Sequence, residues 1–313
     1  MLIESGSTSA GSGDAETAWW PSRYGAEDQV GSLNEISPSR IVAAARLVRQ
    51  GRIFDLGRTL HADVPRFPGR FWQQTVVSTA HLNNARRPGG TDQGWGNNHL
   101  NWLIELVTGT FQIGTQLDGL NHLQIGDRFY NGWRACDIVE DWGTNKLGIE
   151  TVPPIITRGV LVDIPRARGV GRLESGEVIG VAELEAVLRS QRTQVRQGDA
   201  VLFHTGWGGL WEDPEAFNAG EPGIGMAAAD WLVEHRVALT GADTWSFGAV
   251  PHEDADRPFR VPQMLNVEHG LFIMENLATE VLAQAQIYEF LFCLTHHKTR
   301  GSTGAVIAPA AVI

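Results

Sequence analysis

The run Gln112-Ile113-Gly114-Thr115-Gln116-Leu117-Asp118-Gly119-Leu120-Asn121-His122 constrains this protein more than any other stretch. Gln112, Gln116 and Asp118 stand at i, i+4 and i+6. In an extended strand, residues an even number apart point to one face. The spacing therefore predicts three polar side chains on one side of a strand from about Leu103 to Asp118, with His122 just beyond the next turn. A surface strand gains nothing from such convergence, whereas a site that holds a metal, a water or a polar substrate does. Gly114 lets another group approach the backbone, a common use of an isolated strand glycine.

The 313 residues, 42% hydrophobic and only 19% charged, allow one large domain or two small ones with a substantial core. A net charge of -11 argues against nucleic acid or an anionic membrane as partner, since both need a basic patch. No apolar stretch reaches the roughly 18 residues of a membrane span, and the N-terminus lacks the pattern of a secretory signal. Cys136 and Cys293, the 2 cysteines, suit a reducing cytoplasm better than a disulfide scaffold. These readings point to a cytoplasmic protein that handles a small molecule. Residues 1–16, rich in Ser, Gly, Thr and Ala, are expected to form a disordered tail, with residues 17–313 as one domain.

Local patterns set out the rest of the sequence. Ser37 is placed to cap a helix beginning with Pro38 and running to about Gln50, where Gly51 stops it. Residues 61–98 read as loop, with Phe67, Phe71 and Trp72 inside it. Strands are expected at residues 53–56, 160–164, 199–206, 238–243, 271–275, 287–295 and 305–308. Helices are expected at 181–191, 227–235 and 279–284. Short strands interspersed with helices predict an α/β or α+β fold with a mixed sheet. There is no Gly-x-Ser-x-Gly elbow, P-loop or dinucleotide fingerprint, so no nucleotide or organic cofactor is expected.

The opening run also resembles the signature of the cyclase family that includes bacterial kynurenine formamidases and isatin hydrolases, His-x-Gly-Thr-His-x-Asp-x-x-x-His. Gly114, Thr115, Asp118 and His122 match it, and Gln112 and Gln116 stand where its first two histidines would. Further segments resemble the family in order: residues 54–69, Gly198–Trp207, Gly241–Trp245, Gly270–Leu277 and Gly301–Ala305. The resemblance implies a single α/β domain, a mixed β-sheet or barrel of swivelling β/β/α type with helices outside. It also implies a homodimer or homotetramer, and hydrolysis of an amide, formamide or lactam carbon–nitrogen bond. In family members with a full metal site, the two signature histidines and the Asp bind the metal, Mn or Zn. A further His ahead of the Glu-Asn-Leu segment, or the Glu itself, extends the site. That further His falls on Pro262 here, while Asp118, His122 and Glu275 are kept.

Amide oxygen is a weak, hard donor beside imidazole. A site of Gln112, Gln116 and Asp118, with Glu275 beside it, would suit a hard divalent cation better than zinc. The same residues could instead bind water or substrate by hydrogen bonds, or brace the sheet. His122, placed by the resemblance at the family's catalytic histidine, is the expected general base, with Asp118 and Glu275 as its acidic partners. Phe67, Phe71 and Trp72 are expected to wall the pocket, and Gln112, Gln116 and His204 to face the substrate. Asp243 is read as a loop cap. Two other readings stay open: a metal-independent cyclase, dehydratase or isomerase using His122 and Asp118, and a family member that binds a ligand without turnover.

Overall fold

The computed structural model describes residues 19–90 and 94–313, excepting the side chains of Ala80 and His81. The tail expected over 1–16 lies outside the described residues. Eleven strands matter here: β1 Ile53–Asp55, β2 Trp72–Ser78, β3 Leu103–Gly109, β4 Gln116–Asp118, β5 Ile155–Asp163, β6 Ala200–His204, β7 Leu239–Ala242, β8 Phe272–Glu275, β9 Glu289–Leu294, β10 Gly304–Val306 and β11 Ala310–Val312. Nine of them form one mixed sheet in the order β1-β11-β9-β5-β6-β7-β8-β4-β10. The central β5-β6-β7-β8 block is parallel and its flanks are antiparallel.

Apolar runs such as Val160-Leu161-Val162 are what a parallel strand covered on both faces requires. Alternation sends Leu161, Leu202, Met274 and Leu117 to one face, where they join Leu120, Phe129, Tyr130 and Leu282. Val160, Val162, Val201, Phe203 and Ile273 point to the other face. That second face is covered by the helices Val181–Ser190, through Leu184, Val187 and Leu188, and Met226–Glu234, through Ala228, Ala229 and Leu232. Each buried Leu, Val or Phe contributes about 1.5–3 kcal/mol relative to exposure.

Three local expectations are corrected. The helix capped by Ser37 ends at Ala45, not near Gln50. The N–H groups of Gln50 and Gly51 donate instead to the Ile313 carbonyl, at 3.0 and 2.7 Å, so the residue that follows β11 claims the donors that would continue the helix. The segment read as loop holds β2 and a helix, Ala80–Ala85. β2 pairs along its length with β3 to make a separate two-stranded hairpin, exposed along nearly its whole length. The single strand expected from Leu103 to Asp118 is two strands in two sheets, broken by bends around Gly114 at φ +64°. The structure also adds β11, a last strand that the sequence patterns do not announce, which pairs with both β1 and β9.

Candidate active site

The site is built where β4 meets β8. Their antiparallel register sets Gln116 opposite Glu275 and Asp118 opposite Ile273, so all three polar side chains share the face of Ile273 and Phe203. All three are buried. The Gln116 side-chain amide donates through Nε2 to Glu275 Oε2 at 2.7 Å and to Asp118 Oδ1 at 3.2 Å. Burial, and next the charge of Asp118, push the Glu275 carboxyl well above the ordinary carboxylate range, and the Arg70 guanidinium pulls the other way.

Beyond β4 the backbone turns sharply. Gly119 N–H donates to the Thr303 carbonyl at 2.9 Å, and His122 N–H closes the turn onto the Gly119 carbonyl at 3.1 Å. The turn brings His122 into the same cavity as Asp118 and Glu275, of ≈ 260 Å³. Phe67, Arg70, Leu123, Trp245, Ser246, Phe259 and Pro262 complete its lining. The His122 ring makes no side-chain hydrogen bond among the described residues.

Three aromatic rings form one wall. Phe67 lies 6.0 Å from Trp245 and 6.4 Å from Phe259, and Trp245 lies 6.2 Å from Phe259. Phe259 is held at φ +55°, a left-handed conformation that costs a bulky residue about 1–2 kcal/mol. Strain of this kind is typical where a side chain must be aimed. Glu221, fully buried beneath the wall, fixes the neighbouring turn. It accepts from Trp245 N–H at 2.5 Å, from Ser246 N–H at 3.0 Å and from the Ser246 hydroxyl. Burial pushes its carboxyl up to about 8 against the opposing pull of these donors.

Of the residues the sequence points to, Asp118, His122, Glu275 and Phe67 line the cavity, with Gln116 directly behind the two carboxylates. Four others do not line it. Gln112 sits in the bend before β4, outside the strand, so the even-spacing argument does not reach it. Its Nε2 donates to Thr303 Oγ1 at 2.8 Å. Gly304 permits this contact, since a Cβ there would come within 2.7 Å of that nitrogen. Phe71 is exposed and Trp72 begins the hairpin. His204 follows Phe203, which shares the Glu275 face, so alternation turns it to the opposite side. There its Nδ1 meets Thr279 Oγ1 at 2.8 Å and Asp243 Oδ2 at 3.3 Å. Asp243 also accepts from the N–H groups of Thr205, Gly206 and Gly208 and so holds the loop after β6.

Sequence reasoning missed Arg70, Leu123, Trp245, Ser246 and Phe259 as lining groups. Arg70 and Trp245 lie next to or within segments that carry the resemblance, but nothing in local periodicity marks Phe259. Pro262, where the family's further histidine would fall, does line the cavity.

A divalent metal does not fit these side chains as they stand. Among the described residues no group of three or more His, Cys, Asp and Glu side chains is placed to hold one. The Gln116 amide presents N–H donors to both carboxylates, and N–H groups do not ligate cations. Rotating that amide would set its oxygen against two carboxylate oxygens. Gln112 is turned away to Thr303. Gln116 Oε1 is left buried without a hydrogen-bond partner, a single amide acceptor rather than a ligand set.

Comparison with known proteins agrees with this architecture. The family model described as "Putative cyclase" matches residues 54–249. A crystal structure described as that of a novel cyclase is 32% identical and superposes with a TM-score of 0.82, covering 93% of this protein and 98% of its own length. Isatin hydrolase A from Ralstonia solanacearum is similar in fold at 19% identity, with a TM-score of 0.62 over 89% of this protein and 98% of its own length. Isatin hydrolase A from Labrenzia aggregata follows at 18% identity and 0.60, over 87% and 97%. Comparison with curated proteins gives no match. The family match spans more than half of the sequence, and with the 32% identity it establishes that the protein belongs to the cyclase family.

Proposed function

We propose that the protein is a cyclase-family hydrolase that cleaves the carbon–nitrogen bond of an amide, formamide or lactam in a small aromatic or cyclic substrate. The observation that carries this reading is the meeting of Asp118, His122 and Glu275 in one small cavity walled by Phe67, Trp245 and Phe259. Apolar walls with a few convergent polar groups are the usual form of a small-molecule site. Isatin hydrolases of the same fold support the choice of bond.

In this mechanism the flat substrate lies against the aromatic wall and a water sits between Asp118 and His122. His122 takes a proton as the water oxygen bonds to the carbonyl carbon, and the carbonyl π pair moves onto its oxygen. When the intermediate collapses, the C–N bond breaks and the leaving nitrogen takes the proton from His122. The oxyanion pair re-forms the C=O bond as the C–N bond breaks, so the products are an amine and a carboxylic acid, which gives the carboxylate on releasing its proton to solvent. Asp118 steadies the imidazolium between the two transfers. No step is routed through a cation, because the donor set does not fit one. A turnover screen against formamides, lactams and lactones, repeated with His122→Ala, tests the reading. No turnover of any of them by the wild-type protein would leave ligand binding without chemistry.

A second reading is favoured by the Gln116 amide between the two carboxylates. Without a cation to lower its pKa, water is a poor nucleophile. A ring closure, dehydration or isomerisation using His122 and Asp118 needs no such activation, and product analysis of the same screen separates the two. The reading extends to a cytoplasmic homodimer or homotetramer. The supporting observation is the hairpin, whose Val76, Val77, Leu103, Ile104, Leu106 and Val107 all stand exposed. Sedimentation velocity gives the assembly state directly.

A further inference from the structure

We propose that Arg70 is the anion-binding group of this cavity, taking the oxyanion that forms on the substrate carbonyl and then the carboxylate of the product. The inference rests on the hydrolytic reading and assigns it a residue that neither the signature nor its spacing marks.

Arg70 is the one Arg or Lys among the residues that line the cavity. A guanidinium carries five N–H donors in a rigid planar fork suited to a carboxylate. Nη1 donates to the Gln112 carbonyl at 3.0 Å, and the guanidinium carbon lies 5.4 Å from the centre of the Phe67 ring. These two contacts fix the fork against the aromatic wall. No carboxylate among the described residues comes within 4.0 Å of it. Asp118 and Glu275 share the N–H donors of Gln116 instead. Arg70 is therefore a positioned cation whose remaining donors are not bound by a protein acid.

The hydrolytic step creates the ligand for such a group. As the water oxygen bonds to the carbonyl carbon, the electron pair moves onto the carbonyl oxygen, and preorganised donors there lower the barrier. The Gln112 and Gln116 amides, the other donors in reach of this role by sequence, are engaged elsewhere, with Thr303 and with the two carboxylates. The charge has Arg70 to meet it, beside the ring wall that would hold a flat acyl group.

The test uses the full-length protein and two neutral-pH probes of the same shape, benzoate and benzamide, with binding read by calorimetry. Wild-type protein is expected to bind benzoate at least about tenfold more tightly than benzamide, on the scale of one charge-assisted bidentate pair. In Arg70→Gln the preference is lost while benzamide still binds, which shows that the cavity is intact. In Arg70→Lys part of the preference is retained. Benzoate binding no tighter than benzamide to the wild type would overturn the proposal whether or not a variant folds, and so would a preference that survives in Arg70→Gln. Neither probe needs turnover. Arg70-dependent benzoate binding without hydrolysis of any amide would sink the hydrolytic reading and leave the anion site standing. His122-dependent hydrolysis without a benzoate preference would sink the anion site alone.

Discussion

Gln116 and Glu275 face each other across the β4–β8 pairing, joined by a 2.7 Å hydrogen bond from the Gln116 amide to a carboxyl oxygen. The same nitrogen reaches Asp118 at 3.2 Å, so one neutral side chain holds two acids, one strand in from the edge of the sheet. Gln116→Leu keeps most of the volume and removes both donors. It is expected to cost about 1–3 kcal/mol of stability, the range for leaving buried polar groups unsatisfied. Urea denaturation with an unchanged m-value checks this. A midpoint equal to that of the wild type would show that the bridge stabilises nothing.

The same bridge predicts the metal content. Protein purified without chelator and incubated with Mn²⁺ and Zn²⁺ is expected to hold far less than one equivalent by plasma mass spectrometry. Replacing both glutamines (Gln112→His with Gln116→His) supplies imidazole nitrogen beside Asp118 and is expected to raise retention. One tightly held equivalent in the wild type would mean that Gln116 reorients to place its oxygen on a cation.

His122→Ala is expected to lower kcat/KM on the best substrate by about 10²–10⁴, the usual contribution of a positioned acid–base group. The melting temperature should hardly move, because the His122 ring has no hydrogen-bond partner among the described side chains. Undiminished turnover would remove His122 from the chemistry in both enzymatic readings.

Trp245→Ala opens the aromatic wall and is expected to raise KM several-fold or more, whereas Phe71→Ala leaves it unchanged. Kinetics on one aromatic amide compare the two. Equal effects would mean that the wall is not where substrate lies.

Glu221 and His204 both make stability fall as pH rises from about 5 to 8, while His269 and His297, held below the ordinary histidine range chiefly by burial, oppose this at its acidic end. Glu221, with its carboxyl at about 8 in the fold, keeps a proton that the unfolded state has already released. His204 works in the same direction. Burial lowers its pKa, but the Asp243 carboxylate more than offsets this and leaves it above the ordinary 6.5. Its stabilising charge is present at low pH and is lost as pH rises through the raised value. Asp243, held below its ordinary value despite burial by His204 and Thr205, loses its contribution only as pH falls below the carboxylate range. Melting temperatures across pH 5–9 test the sum, and Glu221→Gln should flatten the slope. A slope that Glu221→Gln leaves unchanged would contradict the Glu221 assignment.

Much of the sheet is legible in the sequence because β5 to β8 are covered on both faces and so are written as apolar runs. The helix Val181–Ser190 is legible from Leu184, Val187 and Leu188 for the same reason, its buried stripe. Asp118, His122 and Glu275 are reached through the resemblance, and the even spacing holds for Gln116 and Asp118, two residues apart in β4. It fails at Gln112 because Gly114, with its positive φ, ends the extended backbone between them. The hairpin is hidden for another reason. Its partner strands stand about 25 residues apart and show little alternation, because neither face is buried. Arg70 and Phe259 are hidden because the cavity is assembled from distant loops, and no local pattern records which loops meet.

β1 pairs with β11, Ile53 facing Val312, although nearly the whole domain lies between them in sequence. As the polypeptide leaves the ribosome, Ile53–Asp55 must therefore wait, unpaired, until almost everything else has been translated. For that interval the growing edge of the sheet offers an open backbone to any neighbouring polypeptide.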